Sequence, residues 1–182
     1  MYTKKKIKKI LRKKIKFVGF AALFILIGAL ICAIASYTVT DIYILALPEL
    51  LPMNYKQVTV TADVANDMGI VTLTSGCKQI IAYTEPEQAR SIAAGIAGYI
   101  GRRPNTHDLI VDTFESLGIK VHMLKIVEIR NNTFIGRLIL QQGKRIVSLD
   151  SRPSDGTAIA VRVGAPIYIN PQLLEEYGKN IC

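Results

Sequence analysis

Histidine, cysteine and tryptophan are scarce in this chain of 182 residues, which has two, three and none of them respectively. The sequence has no CxxC motif and no histidine pair at zinc-binding spacing, so it gives no support for a structural zinc site. Cys32 lies in an apolar run, which leaves Cys77 and Cys182 in the remainder of the chain. A disulfide between these two and a pair of separate thiols are both open, because spacing in sequence does not give a distance.

Negative charge is absent from the first 16 residues, which contain nine lysine and arginine residues. The whole chain has 23 basic and 14 acidic residues, so its formal net charge of +9 comes from this tail and residues 17–182 are formally neutral. Residues 17–182 therefore offer no general basic surface. Binding of nucleic acid would depend on local patches such as Arg102-Arg103 or Lys144-Arg145.

Charge is also missing from residues 17–37. A helix of this length would span roughly 31 Å, which matches a hydrocarbon core of about 30 Å. We therefore expect a single-pass helix in the lipid bilayer of the cell membrane, with residues 1–16 as a cytoplasmic tail and the rest outside the cytoplasm. A cleaved signal peptide is the alternative, since Ala33-Ile34-Ala35 resembles a cleavage site. The run exceeds the usual signal core of about 7–15 residues, which favours the anchor.

Beyond this segment, residues 38–55 read as a juxtamembrane connector and residues 56–182 as one α+β domain. Grouped rather than alternating strand and helix patterns predict a mixed or antiparallel sheet with about three packed helices. Asn131-Asn132 and Gln142-Gly143 predict turns in an antiparallel meander. The expected elements are strands at Val58–Ala62, Ile70–Thr74, Gln79–Tyr83, Lys120–Arg130, Thr133–Leu140, Arg145–Leu149 and Ile167–Ile169, and helices from Glu85, at Thr106–Leu117 with Thr106 as N-cap and Leu117 buried, at Pro153–Val163 and at Pro171–Tyr177.

Two polar clusters lie at expected helix starts, Arg103-Pro104-Asn105-Thr106-His107-Asp108 and Asp150-Ser151-Arg152-Pro153-Ser154-Asp155. Phosphodiester hydrolysis needs cations to stabilise charge on the phosphoryl oxygens and a base to activate water. The candidate catalytic residues are His107, Asp108, Asp150 and Asp155; the candidate ligands of a divalent metal, Mg²⁺ or Mn²⁺, are Asp108, Asp150 and Asp155; and the candidate phosphate-binding residues are Arg103, Arg152 and Ser154. A structural Asp-Arg network needs the same residues and performs no chemistry.

At these clusters the chain resembles the bifunctional nuclease family, small domains that act on both DNA and RNA. The resemblance rests on Arg103-Pro104 with Thr106-His107-Asp108-Leu109 and on Asp150 to Asp155, and it covers roughly residues 56–175. It implies a compact α+β domain that associates with copies of itself, and a nuclease activity. The chain departs from the family pattern at Gln88, where glutamate is frequent, and at Gly156, where alanine is usual.

Two functions are therefore expected as alternatives. The first is a membrane-anchored, bifunctional-nuclease-like phosphodiesterase that depends on a divalent metal and acts on DNA or RNA. The second is a non-enzymatic oligomeric domain, tethered at the membrane, that binds a protein or a small ligand through the same pocket.

Overall fold

The computed structural model describes residues 23–34 and 52–182, which belong to two separate compact units. Residues 23–34 form a helix, α1, with exposed side chains. Within the described ranges, no helix combines the length and the apolar character needed to cross a membrane. The predicted transmembrane helix at residues 17–37 falls partly outside the described residues, and so do the tail at 1–16 and most of the connector at 38–55.

The second unit is a mixed α+β domain, which confirms the expected fold class. Its secondary structure follows the expected order except for a short last strand that was not expected, and α1 brings the described helices to five. The elements are β1 Lys56–Ala65, β2 Met68–Ser75, β3 Lys78–Thr84, α2 Pro86–Ile96, α3 Thr106–Ser116, β4 Ile119–Arg130, β5 Thr133–Gln142, β6 Arg145–Ser151, α4 Pro153–Val163, β7 Ile167–Ile169, α5 Pro171–Tyr177 and β8 Lys179–Asn180.

One mixed sheet of eight strands forms the body of the domain, in the order β6-β5-β4-β7-β1-β2-β3-β8. Strands β1 to β3 form one antiparallel meander, and β4 to β6 form the second, which the turn residues Asn131-Asn132 and Gln142-Gly143 predict. The short strand β7 joins the two, because it pairs antiparallel to β1 and parallel to β4. Asn131 and Asn132 adopt positive φ at the β4–β5 turn, which asparagine tolerates better than most residues.

The helices α2, α3 and α4 bring the two polar clusters together. Helix α4 packs against both α2 and α3 and against strands β4 and β5. The approach of α2 to α4 requires a glycine, because a Cβ at Gly95 would lie 2.7 Å from Val161 Cγ2 and 2.8 Å from Arg162 Nη1. Ala89 and Ile92 of α2 and Ala158 and Ala160 of α4 are fully buried. This packing places the N-terminal ends of α3 and α4 beside the first turns of α2.

Two details of α3 differ from the sequence-based expectation. Asn105, and not Thr106, is the N-cap, because its side chain accepts hydrogen bonds from the backbone of His107 and Asp108. Leu117 is 56% exposed instead of buried, and Val111 takes the core position. The helix ends at Ser116, one residue earlier than expected. Leu117 is its C-cap and lies beyond the last helical residue, so its side chain does not extend the buried face.

A disulfide joins Cys77 to Cys182, which decides between the two alternatives left open by the sequence. Their Cα atoms are 5.3 Å apart, within the range that a disulfide bridges. Cys77 lies in the β2–β3 turn, and β8 just before Cys182 pairs with β3. The bond therefore fastens the segment after β8 to the first meander.

Candidate functional site

An open cleft of about 870 Å³ lies where α2, α3 and the start of α4 meet. Both polar clusters contribute to its wall, together with one face of α2. Its charged and aromatic lining residues are Glu87, Arg90, Tyr99, Arg103, His107, Asp108, Arg152 and Asp155.

The first turn of α3 is held by reciprocal hydrogen bonds. Asn105 Oδ1 accepts from the backbone N–H of His107 at 2.8 Å and of Asp108 at 3.1 Å, and Asp108 Oδ2 accepts from the backbone N–H of Asn105 at 2.8 Å. This capping box satisfies amide groups that a helix start otherwise leaves without a partner. It fixes the position of the Asp108 carboxylate and of the His107 ring beside it.

A buried ion pair ties α3 to α4. Arg162 Nε donates to Asp108 Oδ1 at 2.7 Å, and both side chains are only 7% exposed. Burial of the Asp108 carboxyl raises its pKa, but the hydrogen bonds from Arg162 and from the Asn105 backbone outweigh burial, so the pKa lies below its ordinary value. The sequence reasoning missed Arg162, although a single arginine in the apolar run Ala158 to Val163 was a signal for a buried partner.

Ser91 links this pair to His107 and determines which ring nitrogen of His107 is protonated. Its hydroxyl oxygen accepts from Arg162 Nη2 at 3.0 Å and from Asn105 Nδ2 at 3.2 Å. Both lone pairs of the hydroxyl are then used, so Ser91 donates its own proton to His107 Nδ1, which is 2.9 Å away. The neutral ring of His107 therefore carries its proton on Nε2.

His107 Nε2 is directed at Asp155, which Arg152 also binds. The distance from Nε2 to Asp155 Oδ1 is 3.4 Å, and Arg152 donates from Nε to Oδ2 at 2.8 Å and from Nη2 to Oδ1 at 3.2 Å. Burial lowers the pKa of His107 and outweighs the effect of Asp155, which raises it. Burial raises the pKa of Asp155, but the hydrogen bonds from Arg152 and His107 bring that pKa below its ordinary value.

The His107 environment predicts how stability depends on pH. The pKa of His107 in the folded state is below its ordinary value of 6.5. At pH values just below 6.5 the unfolded chain therefore binds more protons than the folded chain. The free energy of unfolding should therefore fall as the pH is lowered through 6.5 towards the folded pKa. Urea unfolding at about pH 7.5 and about pH 5.5 measures the difference, which His107→Gln should reduce and the control His122→Gln should retain. An equal slope in His107→Gln and in the wild type would contradict the assignment.

Five of the seven predicted site residues meet in the cleft, and two do not. Arg103, His107, Asp108, Arg152 and Asp155 line it. Ser154 lines a different pocket, on the other side of Arg152.

Asp150 belongs to strand β6, where its backbone pairs with Arg137. Ser151 Oγ lies towards α4, since a Cβ at Gly156 would be 3.1 Å from it. Successive side chains of a strand point to opposite faces, so Asp150 points away from α4.

The three predicted metal ligands are therefore not brought together. Asp108 is paired with Arg162, Asp155 is paired with Arg152, and Asp150 lies on β6 away from both. Within residues 23–34 and 52–182, no group of three or more His, Cys, Asp or Glu side chains could hold a metal ion. Metal binding stays a prediction, and this set of ligands does not fit one ion in the arrangement seen.

The open side of the cleft is suited to an anion. Arg152 is 64% exposed along its side chain, and Arg103 is exposed. Among the described residues, Arg103 forms no ion pair with a carboxylate, whereas Arg90 is paired with Glu87. A guanidinium group can bind a phosphate through two parallel hydrogen bonds. A phosphate on Arg152 would compete with Asp155 and release one of its oxygens.

Comparison with known proteins adds the family to this geometry. Residues 74–181, more than half of the chain and including every candidate residue, match the model of the bifunctional nuclease domain. The chain belongs to the bifunctional nuclease domain family. Of its departures from the resemblance noted above, Gln88 lies on α2 and lines the cleft, whereas Gly156 is buried on α4 against Leu124.

Similar proteins from bacteria and plants match part of this chain. An uncharacterised protein of Mycobacterium tuberculosis is 40% identical over 91 residues, which are 50% of this chain and 54% of that protein. Bifunctional nuclease 1 of Oryza sativa is 28% identical and that of Arabidopsis thaliana 27% identical, each over 82 residues, which are 43% of this chain and 25% of the plant protein. The chain thus matches about half of the mycobacterial relative and a quarter of each plant relative.

Proposed function

We propose that this domain is a nuclease that hydrolyses phosphodiester bonds in the cleft between α2, α3 and α4. The observation that carries the proposal is the chain of contacts from His107 through Asp155 to the exposed guanidinium of Arg152, at the edge of a cleft large enough for a nucleotide segment. Membership of the bifunctional nuclease domain family and the names of the plant relatives agree with it.

The proposed roles follow from the contacts of each side chain. Arg152 and Arg103 bind the phosphate and stabilise the charge that develops on its oxygens. Asp155, partly released from Arg152 by the phosphate, accepts a proton from the attacking water, whose oxygen forms the new bond to phosphorus. The ester bond to phosphorus breaks, and the leaving oxygen takes up a proton from solvent. His107 donates Nε2–H to Asp155 and positions it, because its Nδ1 is already occupied by Ser91.

The proposal is tested by incubating the 182-residue chain with single-stranded and double-stranded DNA and RNA, with and without Mg²⁺ or Mn²⁺. We expect Arg152→Ala and Asp155→Asn each to slow cleavage by roughly 10²- to 10³-fold, the loss typical of removing one group that stabilises the transition state. The matched controls Arg137→Ala and Asp112→Asn lie outside the cleft lining and should cleave like the wild type.

The variant Asp150→Ala distinguishes the cleft mechanism, which does not use Asp150, from a metal site formed by Asp108, Asp150 and Asp155. Because Asp150 lies on β6 and points away from α4, its loss should change the rate by less than about twofold if the cleft acts alone. A loss as large as that of Asp155→Asn, restored by higher Mn²⁺, would return Asp150 to the site as a metal ligand. If the wild type cleaves none of the four substrates faster than Asp155→Asn, with either metal, the nuclease proposal fails.

A non-enzymatic role has one observation in its favour. The contacts among Ser91, Asn105, Asp108 and Arg162 join α2, α3 and α4 and are satisfied without a ligand. A domain with such a structural Asp-Arg network could act as an oligomeric binding module tethered at the membrane. In that case the wild type would show no cleavage for Arg152→Ala or Asp155→Asn to reduce, and Arg162→Met, which breaks the network, would unfold at a lower denaturant concentration.

We also propose that residues 17–37 anchor the chain in the cell membrane with the domain outside the cytoplasm. The uncharged run and the lysine-rich tail support this orientation. The disulfide between Cys77 and Cys182 also supports it, because disulfides persist outside the cytoplasm. Protease added to intact cells should digest the domain, and complete protection would contradict the orientation.

A further inference from the structure

A second pocket, of about 300 Å³, lies on the other side of Arg152 from the cleft. Strands β2 and β3 form one wall, the β4–β5 turn forms the opposite wall, and the first turn of α4 closes one end. Its volume is at the low end of the range of about 300–1,000 Å³ found for ligand pockets, so it suits one small ring system. The lining residues are Val71, Leu73, Ala82, Tyr83, Thr84, Ile126, Asn132, Thr133, Phe134, Arg152, Pro153, Ser154 and Thr157.

The lining of this pocket combines apolar surface, aromatic rings and a few polar groups. Leu73 and Ile126, which are 4% and 1% exposed, supply apolar surface, and Tyr83 and Phe134 supply rings. Phe134 is itself braced by the ring of Tyr177, with ring centroids 6.4 Å apart in an edge-to-face arrangement. Hydroxyl groups come from Thr133, Ser154 and Thr157. A flat aromatic heterocycle with hydrogen-bonding edges matches this combination.

Arg152 connects the pocket with the cleft. Among the described residues it alone lines both cavities, and its guanidinium is held by Asp155 at the cleft side. A phosphate bound to Arg152 would therefore have its attached nucleoside within reach of Tyr83, Phe134 and Thr157. This arrangement also gives Ser154, which does not line the cleft, a place beside the ligand.

We propose that the pocket binds the nucleobase of the nucleotide whose phosphate contacts Arg152, and that the domain therefore acts on unpaired strands. The proposal rests on the proposed nuclease function and names its substrate class. A base within the pocket must leave the stack of a duplex, and that unstacking is least unfavourable when the strand is already single. Stacking on an aromatic side chain tolerates any base, so the pocket favours single strands without selecting a sequence.

Binding of small probes to the 182-residue chain tests the pocket without any cleavage. Uridine 5′-monophosphate and ribose 5-phosphate share the phosphate and differ in the base. Because stacking of one base on an aromatic ring is worth a factor of roughly 5 to 150 in affinity, the mononucleotide should bind more tightly by about that factor. Isothermal titration calorimetry measures both dissociation constants, and Arg152→Ala should weaken both probes alike.

Two variants of the pocket should remove the advantage of the base. Tyr83→Ala deletes a ring that is 66% exposed, so its effect on folding should be small, and Ala82→Phe fills the pocket. In both variants the mononucleotide should bind no more tightly than ribose 5-phosphate. Ile81→Ala is the matched control, since Ile81 is exposed on the same strand and does not line the pocket. Thermal unfolding of Tyr83→Ala shows whether a loss of binding comes from unfolding, and any variant that unfolds is replaced by Thr157→Val.

The outcomes distinguish this proposal from the nuclease function. Tighter binding of the mononucleotide that Tyr83→Ala abolishes supports the pocket, even if the chain cleaves nothing. Equal binding of the two probes to the wild type overturns the pocket, and so does an advantage of the base that Tyr83→Ala and Ala82→Phe both retain. If the chain cleaves nucleic acid, cleavage of duplex DNA as fast as single-stranded DNA overturns the preference for unpaired strands and leaves the nuclease function standing.

Discussion

Replacing Arg162 by methionine should lower the free energy of unfolding by about 3–5 kcal/mol, because it leaves the Asp108 carboxylate buried without a partner. Both side chains are 7% exposed, so solvent offers the stranded carboxylate little compensation. The same change deprives Ser91 of a donor to its hydroxyl and a donor to its carbonyl oxygen. Urea unfolding of the variant and of the wild type measures the difference.

The matched control for Arg162→Met is Arg90→Met. Arg90 is paired with Glu87 on the surface of α2, and its side chain is 54% exposed. Exposed pairs contribute about 0–1 kcal/mol, so this variant should remain close to the wild type. The double variant Asp108→Leu, Arg162→Met removes both buried charges and should regain part of the lost stability. Equal losses for Arg90→Met and Arg162→Met would show that the buried pair contributes no more than a surface pair.

Removing the disulfide should lower the free energy of unfolding by an amount similar to that expected for Arg162→Met. The bond closes a loop with a sequence separation of 105 residues. Restricting the unfolded chain over a loop of that length is worth about 2–5 kcal/mol. We therefore expect the variant with Cys77→Ser and Cys182→Ser to unfold at a clearly lower urea concentration than the oxidised wild type, and the reduced wild type to match the variant.

The control for the disulfide is Cys32→Ser, which lies outside the domain and outside the bond. This variant should respond to reductant like the wild type. An oxidised wild type that unfolds at the same urea concentration as the double serine variant would contradict a stabilising role for the disulfide. Mass spectrometry of the oxidised protein after proteolysis identifies the bonded peptides and thus tests the pairing itself.

Local patterns predicted the strands and helices well, since each depends on neighbours in sequence. The alternation of Val58, Val60 and Ala62 marks β1, and the positive-φ turn at Asn131-Asn132 follows from residues that favour it. The N-cap was misassigned to Thr106 because asparagine and threonine both cap helices, and only the direction of the Asn105 side chain decides between them.

The site was predicted less completely, because its contacts join residues far apart in sequence. Arg162 lies 54 residues from Asp108, so a lone arginine in an apolar run indicates a buried partner without indicating which residue it is. Asp150 was grouped with Asp155 because the two are close in sequence. The alternation of β6 and the bend into α4 separate them in space, so closeness in sequence gave the wrong neighbour.

The position of β7 has a consequence for the order in which the domain can be completed. Each meander consists of neighbouring strands and can form as soon as its own segment has emerged during synthesis. The three residues Ile167–Ile169 that join them follow both meanders in the chain, and so does the disulfide partner Cys182. Until then the edges of β1 and β4 that pair with β7 lack this partner, so a chain that stops before Ile167 should expose unpaired strand edges and be prone to aggregate.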